Sequence, residues 1–183
     1  MLAYNSGRYP TKINSVRVNS YEIWRHGVIR CWHTKYEGNE AYRKVRFCDR
    51  WLDYSNFHED VVDMIGYGVE GFTLDKDILS EKGNKIYSKE TCCFVPVEVN
   101  AMLTKSDKTR GKWLIGVDYH KKTKKFRARH RGHLGMFDTE IEAFYVYKED
   151  KEAYIKELAN KYKYQIDPRA YEALMSYEVS IDD

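Results

Sequence analysis

The sequence lacks the cysteine pairs at CxxC spacing that mark zinc-binding and dithiol redox sites. Its four cysteines are Cys31, Cys48, Cys92 and Cys93, and adjacent cysteines such as the last two rarely bridge each other. A tetrahedral site that combined these thiols with His33 would have no finger-like spacing, so a structural zinc ion is not expected. Reduced thiols buried in an aromatic core are the simpler interpretation.

Long apolar runs are also absent. No stretch approaches the roughly 20 residues that a membrane-spanning helix needs, and residues 1–19 are polar and lack the apolar segment of a signal peptide. No internal repeat or low-complexity segment is visible. These absences predict a soluble cytoplasmic protein without a membrane partner. At 183 residues, the chain is long enough to bury a core without disulfides.

The formal net charge is small, at +3, but it is unevenly distributed. Residues 105–131 contain eleven Lys or Arg against two Asp, whereas residues 137–183 contain twelve acidic residues against six basic ones. The basic block predicts a surface for a polyanion. The acidic block predicts a solvated helix or tail beside it.

The spacing of apolar residues predicts mixed secondary structure in the first half. Residues 1–20 form an arm to which no element is assigned, and helices are predicted over Tyr21–His33 and from Trp51 to Ile65. A ββα unit follows. Its predicted parts are a strand over 72–75 that ends at Asp75, a return strand over 86–87, and a helix over 96–103.

The second half predicts a three-stranded antiparallel sheet packed on one long helix, which makes the fold class α+β. The strands are expected over 114–119, 125–130 and 133–137, and a capping box at Thr139 and Glu142 begins the helix. Alternation along the middle strand puts its cations on one face, with Phe126 and Ala128 on the other. The cations of this strand and its adjoining turns are Lys121, Lys122, Lys124, Lys125, Arg127, Arg129 and Arg131.

Such a positive sheet face can follow the phosphates of double-stranded DNA, and its arginines can reach guanine edges in the major groove. In the first half, Asp75 at the end of a strand and Asn100 on the following helix offer two oxygen ligands. A hard divalent cation such as Mg²⁺ or Mn²⁺ needs ligands of this kind, and phosphodiester hydrolysis usually recruits such a cation.

The stretch from Asp75 to Asn100 resembles the HNH motif of phage-type and homing endonucleases. In that family a strand ends with an Asp-His pair, a loop of the type D-G-N-K follows, and a helix supplies a final Asn or His. Here Asp75 matches the metal-ligating Asp, Gly83-Asn84-Lys85 resembles the loop, and Asn100 matches the helix ligand. The resemblance implies a ββα-metal domain over 21–108 whose metal ligands are Asp75 and Asn100. It also implies that the catalytic residues are Asp75, Lys76, Asp77, Asn84 and Asn100.

The second half resembles the plant ethylene-response-factor (APETALA-type) DNA-binding domain, which also occurs fused behind HNH motifs. The order of the two resemblances is more specific than either alone. It implies a DNA-binding domain over 112–165 in a phage- or bacterium-encoded protein, followed by an acidic segment over 166–183. The matching residues are Gly116-Val117, Lys124-Lys125-Phe126-Arg127-Ala128, Leu134-Gly135-Met136-Phe137-Asp138-Thr139 and Glu142-Ala143.

Lys76 departs from the family pattern, because the residue after the metal-ligating Asp is there a histidine that acts as general base. A lysine keeps its proton at neutral pH unless burial or nearby cations favour the neutral form, and Asp75 and Asp77 favour the charged form. Three alternatives stay open: a metal-generated hydroxide with help from Asp77 or a histidine, an electrostatic role for Lys76, or binding without cleavage. The candidate histidines are His26, His33 and His58.

Taken together, these patterns predict a metal-dependent endonuclease that hydrolyses phosphodiester bonds in duplex DNA. The alternative is a catalytically degenerate HNH scaffold that binds DNA or inhibits a host protein, with Glu172–Asp183 as the protein contact.

Overall fold

The computed structural model of the protein has the predicted α+β architecture. In the part of the chain that it describes, no helix is both long enough and apolar enough to cross a membrane. The described residues are 2–32, 45–80, 85–103 and 112–182.

The chain divides into two compact units. Unit 1 comprises Met1–Asn100 and Tyr164–Ala170, and unit 2 comprises Ala101–Lys163 and Tyr171–Asp183. The sequence predicts a junction over 104–112, and all of this stretch except Lys112 lies outside the described residues. The chain therefore passes from one unit to the other three times.

The N-terminal arm contains a small hairpin that periodicity cannot reveal, because each strand has only two residues. Strand β1 (Lys12–Ile13) pairs antiparallel with β2 (Val16–Arg17). The two turn residues, Asn14 and Ser15, have positive φ angles of 48° and 65°. Such angles suit the twist of a two-residue hairpin loop. The arm is fixed to unit 1 where the Tyr4 N–H donates to the Leu52 carbonyl at 2.9 Å.

Two helices enclose an aromatic core in unit 1. Helix α1 is Asn19–Trp32 and helix α2 is Tyr54–Val62, preceded by a single turn of 3-10 helix over Asp49–Leu52. The second helix is shorter than the predicted span of Trp51 to Ile65, because Asp53 caps its N-terminus and a turn follows Val62. The buried aromatic residues of this core are Trp24, Phe47, Trp51, Tyr54, Phe57, Tyr87 and Phe94.

The ββα unit is present, but its second strand differs from the prediction. Strand β4 (Phe72–Asp75) pairs antiparallel with β6 (Cys93–Pro96), and helix α3 (Val97–Leu103) follows at once. Ile86–Tyr87 is a strand (β5), as predicted, but its predicted role as the return strand of the hairpin is wrong, because it pairs in parallel with β3 (Arg46–Phe47). All four residues of β6 are buried, so this strand shows none of the alternation that reveals a half-exposed strand.

Unit 2 contains the predicted meander and long helix. Its strands β7 (Val117–His120), β8 (Lys125–His130) and β9 (Gly132–Phe137) are antiparallel neighbours in that order. Helix α4 (Glu140–Tyr162) packs on the sheet and begins with the predicted capping box at Thr139. The sheet and α4 therefore form two layers around one core.

The acidic C-terminal segment contains a helix and a buried residue. Helix α5 spans Pro168–Met175, and Val179 after it is only 3% exposed. Val179 packs in the core of unit 2 with Phe144, and its N–H donates to Glu152 Oε1 at 2.8 Å. Part of the segment therefore belongs to the core of unit 2, although its composition is that of a solvated tail.

Gly116, which precedes β7, is expected to tolerate no side chain. Its φ is +76°, and a Cβ atom at this position would lie 2.0 Å from the Tyr147 ring. Gly116→Ala should lower the free energy of unfolding of unit 2 by about 2 kcal/mol, because left-handed strain adds to overpacking. Amide hydrogen exchange of β8 in urea measures this loss. Gly132→Ala is the control, since nothing lies within 4 Å of its Cβ position, and equal exchange in the two variants would contradict the prediction.

Candidate functional site

Asp75 ends β4 as predicted, and its carboxylate is buried and held by backbone hydrogen bonds. The residue is only 5% exposed, and its Oδ1 accepts hydrogen bonds from the backbone N–H groups of Asp77 and Ile78, both at 2.8 Å. Within the described residues, Oδ2 accepts no hydrogen bond. One oxygen is thus fixed by the backbone, and the other is available to a cation.

The charge of Asp75 is incompletely compensated by the protein. Burial raises the pKa of this carboxyl above its ordinary value, although the N–H groups of Ile78 and Asp77 act in the opposite direction. Ionised Asp75 is therefore under-stabilised in the protein alone. A divalent cation at Oδ2 would supply the missing compensation.

Lys76 is buried next to Asp75 in the chain and contacts Asp77. Its Nζ lies 2.8 Å from Asp77 Oδ2 and 5.8 Å from the centroid of the Tyr87 ring. Lys85 contacts the other oxygen of Asp77 at 2.9 Å. Partial loss of solvent would raise the pKa of Asp77, but the two ammonium groups outweigh this and lower it. Neither Lys76 nor Asp77 is therefore suited to remove a proton from water.

The structure says less about Asn84 and Asn100, the two amide residues of the predicted site. Asn84 and the neighbouring Gly83 lie outside the described residues. Asn100 lies one turn into α3, and α3 begins after Pro96, at the end of the hairpin opposite to Asp75. The roles of Asp75 and Asn100 as metal ligands therefore both stay predictions.

Two of the three candidate histidines form contacts with other side chains of unit 1. His58 Nδ1 lies 2.8 Å from Ser20 Oγ, and His26 Nε2 lies 3.0 Å from an Arg25 Nη atom. His33 lies outside the described residues. Across the described ranges, no group of three or more His, Cys, Asp and Glu side chains is arranged to hold a metal ion. A cation at Asp75 would therefore complete its coordination with amide, water or substrate oxygens.

The thiols closest to this site remain protonated at neutral pH. Cys93 is the cross-strand partner of Asp75, and Cys92 precedes it. Burial raises the pKa of both thiols well above the ordinary range, and it raises the pKa of Cys31 to about 11. These thiols behave as small apolar groups of the core.

The outer face of the unit 2 sheet, opposite to α4, is the second candidate site. Phe126 and Ala128 pack in the core of unit 2, as predicted, so Lys125, Arg127 and Arg129 point away from α4. Arg131 stacks on the ring of Tyr154 in α4 at 3.7 Å, which places it on the helix side of the sheet rather than on the outer face. The exposed lysines of the turn between β7 and β8 are Lys121, Lys122 and Lys124.

The cations of the outer face differ in how they are paired. Arg127 forms a bidentate ion pair with Asp118 on β7, and Lys125 Nζ lies 3.0 Å from Asp138. Arg129 is exposed and, among the described residues, forms no ion pair. The face therefore offers one unpaired arginine beside one that a carboxylate holds in place.

The sequence-based prediction missed Lys85 and Asp118, which contact residues of the two candidate sites. The sequence places Lys85 only in a loop pattern, and no spacing along the chain reports its contact with Asp77. Asp118 is one of only two acidic residues in the basic block of 105–131. In a meander with a short turn, that isolated acid falls opposite Arg127, so cross-strand spacing is the signal that could have revealed it.

Comparison of the chain with models of known families, with curated proteins and with solved structures finds no match.

Proposed function

We propose that this protein is a metal-dependent DNA endonuclease in which unit 1 carries the hydrolytic site and unit 2 binds the duplex. The observation that carries the proposal is the Asp75 carboxylate at the end of β4. One of its oxygens is fixed by two backbone N–H groups, and the other accepts no hydrogen bond from the described residues. A buried carboxylate held in this way is costly unless a cation binds to it.

The oxygen atoms of Asp75 and Asn100 are of the type that a hard divalent cation such as Mg²⁺ or Mn²⁺ prefers. Asp75 Oδ2 would hold it, with Asn100 as the second ligand that the HNH resemblance implies. A cation bound there would polarise the scissile phosphate and stabilise the leaving oxygen.

Lys76 has an electrostatic role in this proposal. Its ammonium group is fixed by Asp77 and shielded from solvent, since the residue is only 7% exposed. A preorganised cation in a buried position stabilises the extra negative charge that phosphate gains during attack by water. The water would lose its proton to solvent or to the substrate, because the neighbouring side chains are poor bases.

The outer face of unit 2 supports duplex DNA as the substrate. Arg129 and the turn lysines can neutralise phosphates, which supplies affinity without sequence preference. Arg127 can reach the edge of a guanine in the major groove, which supplies sequence preference.

The test is nicking of supercoiled plasmid by the purified chain in Mg²⁺ or Mn²⁺, with EDTA as the control. Parallel measurement of duplex binding by fluorescence anisotropy at several salt concentrations separates cutting from binding. Cleavage in either metal and none in EDTA is the expected result. Salt-sensitive binding without cleavage in either metal would refute the nuclease proposal.

The double substitution Arg127→Ala and Arg129→Ala is expected to weaken duplex binding by about tenfold or more. It should also reduce the slope of log K against log salt by about 1, because one phosphate contact is lost. Lys156→Ala is the matched control, since Lys156 lies on α4 and not on the outer face. Equal affinities of the double variant and the wild type would refute the outer face as the DNA site.

A second candidate function, DNA binding without cleavage, is favoured by the ion pair between Lys76 and Asp77. Because this ion pair engages both residues, the described part of the site offers no side chain suited to act as general base. The plasmid assay decides between the two functions.

A further inference from the structure

The pairing of Asp118 with Arg127 has an unusual geometry for a surface ion pair. Arg127 Nε lies 3.1 Å from both oxygens of Asp118, and Nη2 lies 3.0 Å from Oδ2. The two residues are also cross-strand partners in the register of β7 and β8. Nη2 also lies 3.0 Å from Oδ1, so the carboxylate holds the edge of the guanidinium group formed by Nε and Nη2 and limits its movement relative to the sheet.

This pair contributes little to the stability of the fold. The Arg127 and Asp118 side chains are 31% and 40% exposed, and ion pairs at such exposure are weakened by solvent and salt. The consequence of the pair for DNA binding is larger. A guanidinium group has five N–H donors. The contact with Asp118 uses the Nε donor and one donor of Nη2. The remaining Nη1 donors and the second Nη2 donor form the end-on fork that matches O6 and N7 of guanine.

We propose that Asp118 is a specificity-determining positioning residue, which holds Arg127 for reading a guanine and at the same time weakens binding to the phosphate backbone. The inference rests on the proposed binding of duplex DNA by unit 2. The carboxylate cancels most of the charge of Arg127 at about 3 Å, so phosphates gain little from approaching this arginine. Directional hydrogen bonds to a base edge survive this cancellation, because they depend on the orientation of the N–H groups.

Arg129 provides the contrast on the same strand. It is exposed and has no ion pair among the described residues, so its full charge is available to a phosphate. Asp138 provides a second contrast, because it pairs with Lys125 at 3.0 Å on the same sheet. Lysine has no planar fork, so removing Asp138 should change backbone binding alone.

The test is selection of preferred sites by the full chain from a pool of random duplexes, followed by affinity measurements on the selected duplex and on a scrambled one. For Asp118→Asn we expect the ratio of the two affinities to fall by about tenfold, while binding to the scrambled duplex becomes a few-fold tighter. Arg127→Lys should lose the same ratio without a gain in affinity for the scrambled duplex. Asp138→Asn should tighten binding to both duplexes and leave the ratio unchanged.

The outcomes separate this inference from the proposed function. A wild-type chain that binds no duplex overturns DNA binding and this inference with it. A wild-type chain that binds duplexes without preference overturns this inference alone. An unchanged ratio in Asp118→Asn, or a ratio lost equally in Asp138→Asn, also overturns the inference while DNA binding stands.

Discussion

Replacing Asp75 by asparagine is expected to reduce metal-dependent nicking of plasmid DNA by about 100-fold or more. The amide keeps an oxygen that can accept from the N–H groups of Asp77 and Ile78, so the turn after β4 is preserved. The substitution removes the negative charge to which the cation would bind. Asn100→Ala should also reduce nicking, by removal of the second predicted ligand. Asp63→Asn, at an exposed carboxylate after α2, is the control and should leave nicking unchanged.

Although Asp75→Asn is expected to lose nicking activity, it is expected to gain stability toward unfolding when no metal is present. Because burial raises the pKa of Asp75 in the folded protein, the folded state binds this proton more tightly than the unfolded state does. The stability that this group contributes is therefore present at low pH and lost as the pH rises through the raised pKa. In EDTA at pH 7, Asp75→Asn should thus unfold at a higher urea concentration than the wild type. The difference should shrink as the pH falls, and a less stable variant at pH 7 would contradict the assigned environment.

Replacing Lys76 by histidine is expected to increase the nicking rate by about 100-fold, because a positioned general base typically contributes a factor of this size or more. Neutral imidazole at this position can take the proton of the attacking water, whereas the ammonium of Lys76 is held by Asp77 at 2.8 Å. Single-turnover cleavage between pH 6 and pH 8 measures the gain and its dependence on histidine ionisation.

Lys76→Met is the matched control, since it removes the ammonium group without adding a base. Its nicking rate should fall below that of the wild type if the ammonium stabilises the transition state. A histidine variant no faster than the methionine variant would show that a missing base is not what limits cleavage. If the wild type binds DNA without cutting it, cleavage by the histidine variant would identify Lys76 as the cause.

Elements with strong local periodicity were predictable from the sequence. The outer face of the unit 2 sheet follows from strict alternation over residues 125–129, and α4 follows from its capping box and helical spacing. The end of β4 at Asp75 follows from the alternation of Phe72 to Asp75 in the same way. In β8 and α4, one side of the element packs in the core and the other does not, so the pattern of side chains reports the geometry directly.

Elements buried on all sides, or stabilised by distant contacts, were not predictable. Strand β6 is buried along its whole length, and Pro96 at its end looked like the first residue of a helix. Val179 is one of several apolar residues in the acidic segment, and only the fold shows that it packs in the core of unit 2. The burial of Lys76 was equally invisible, because a lysine between two aspartates looks like a solvated turn.

The threefold passage of the chain between the units has a consequence for dividing the protein into fragments. Unit 1 includes Tyr164–Ala170, and unit 2 includes Ala101–Lys163 and Tyr171–Asp183, so no single cut in the chain separates the two units. A fragment that stops at Tyr162 contains all of α4 but lacks Val179, which packs in the core of unit 2. Separate expression of either unit therefore requires two pieces of chain.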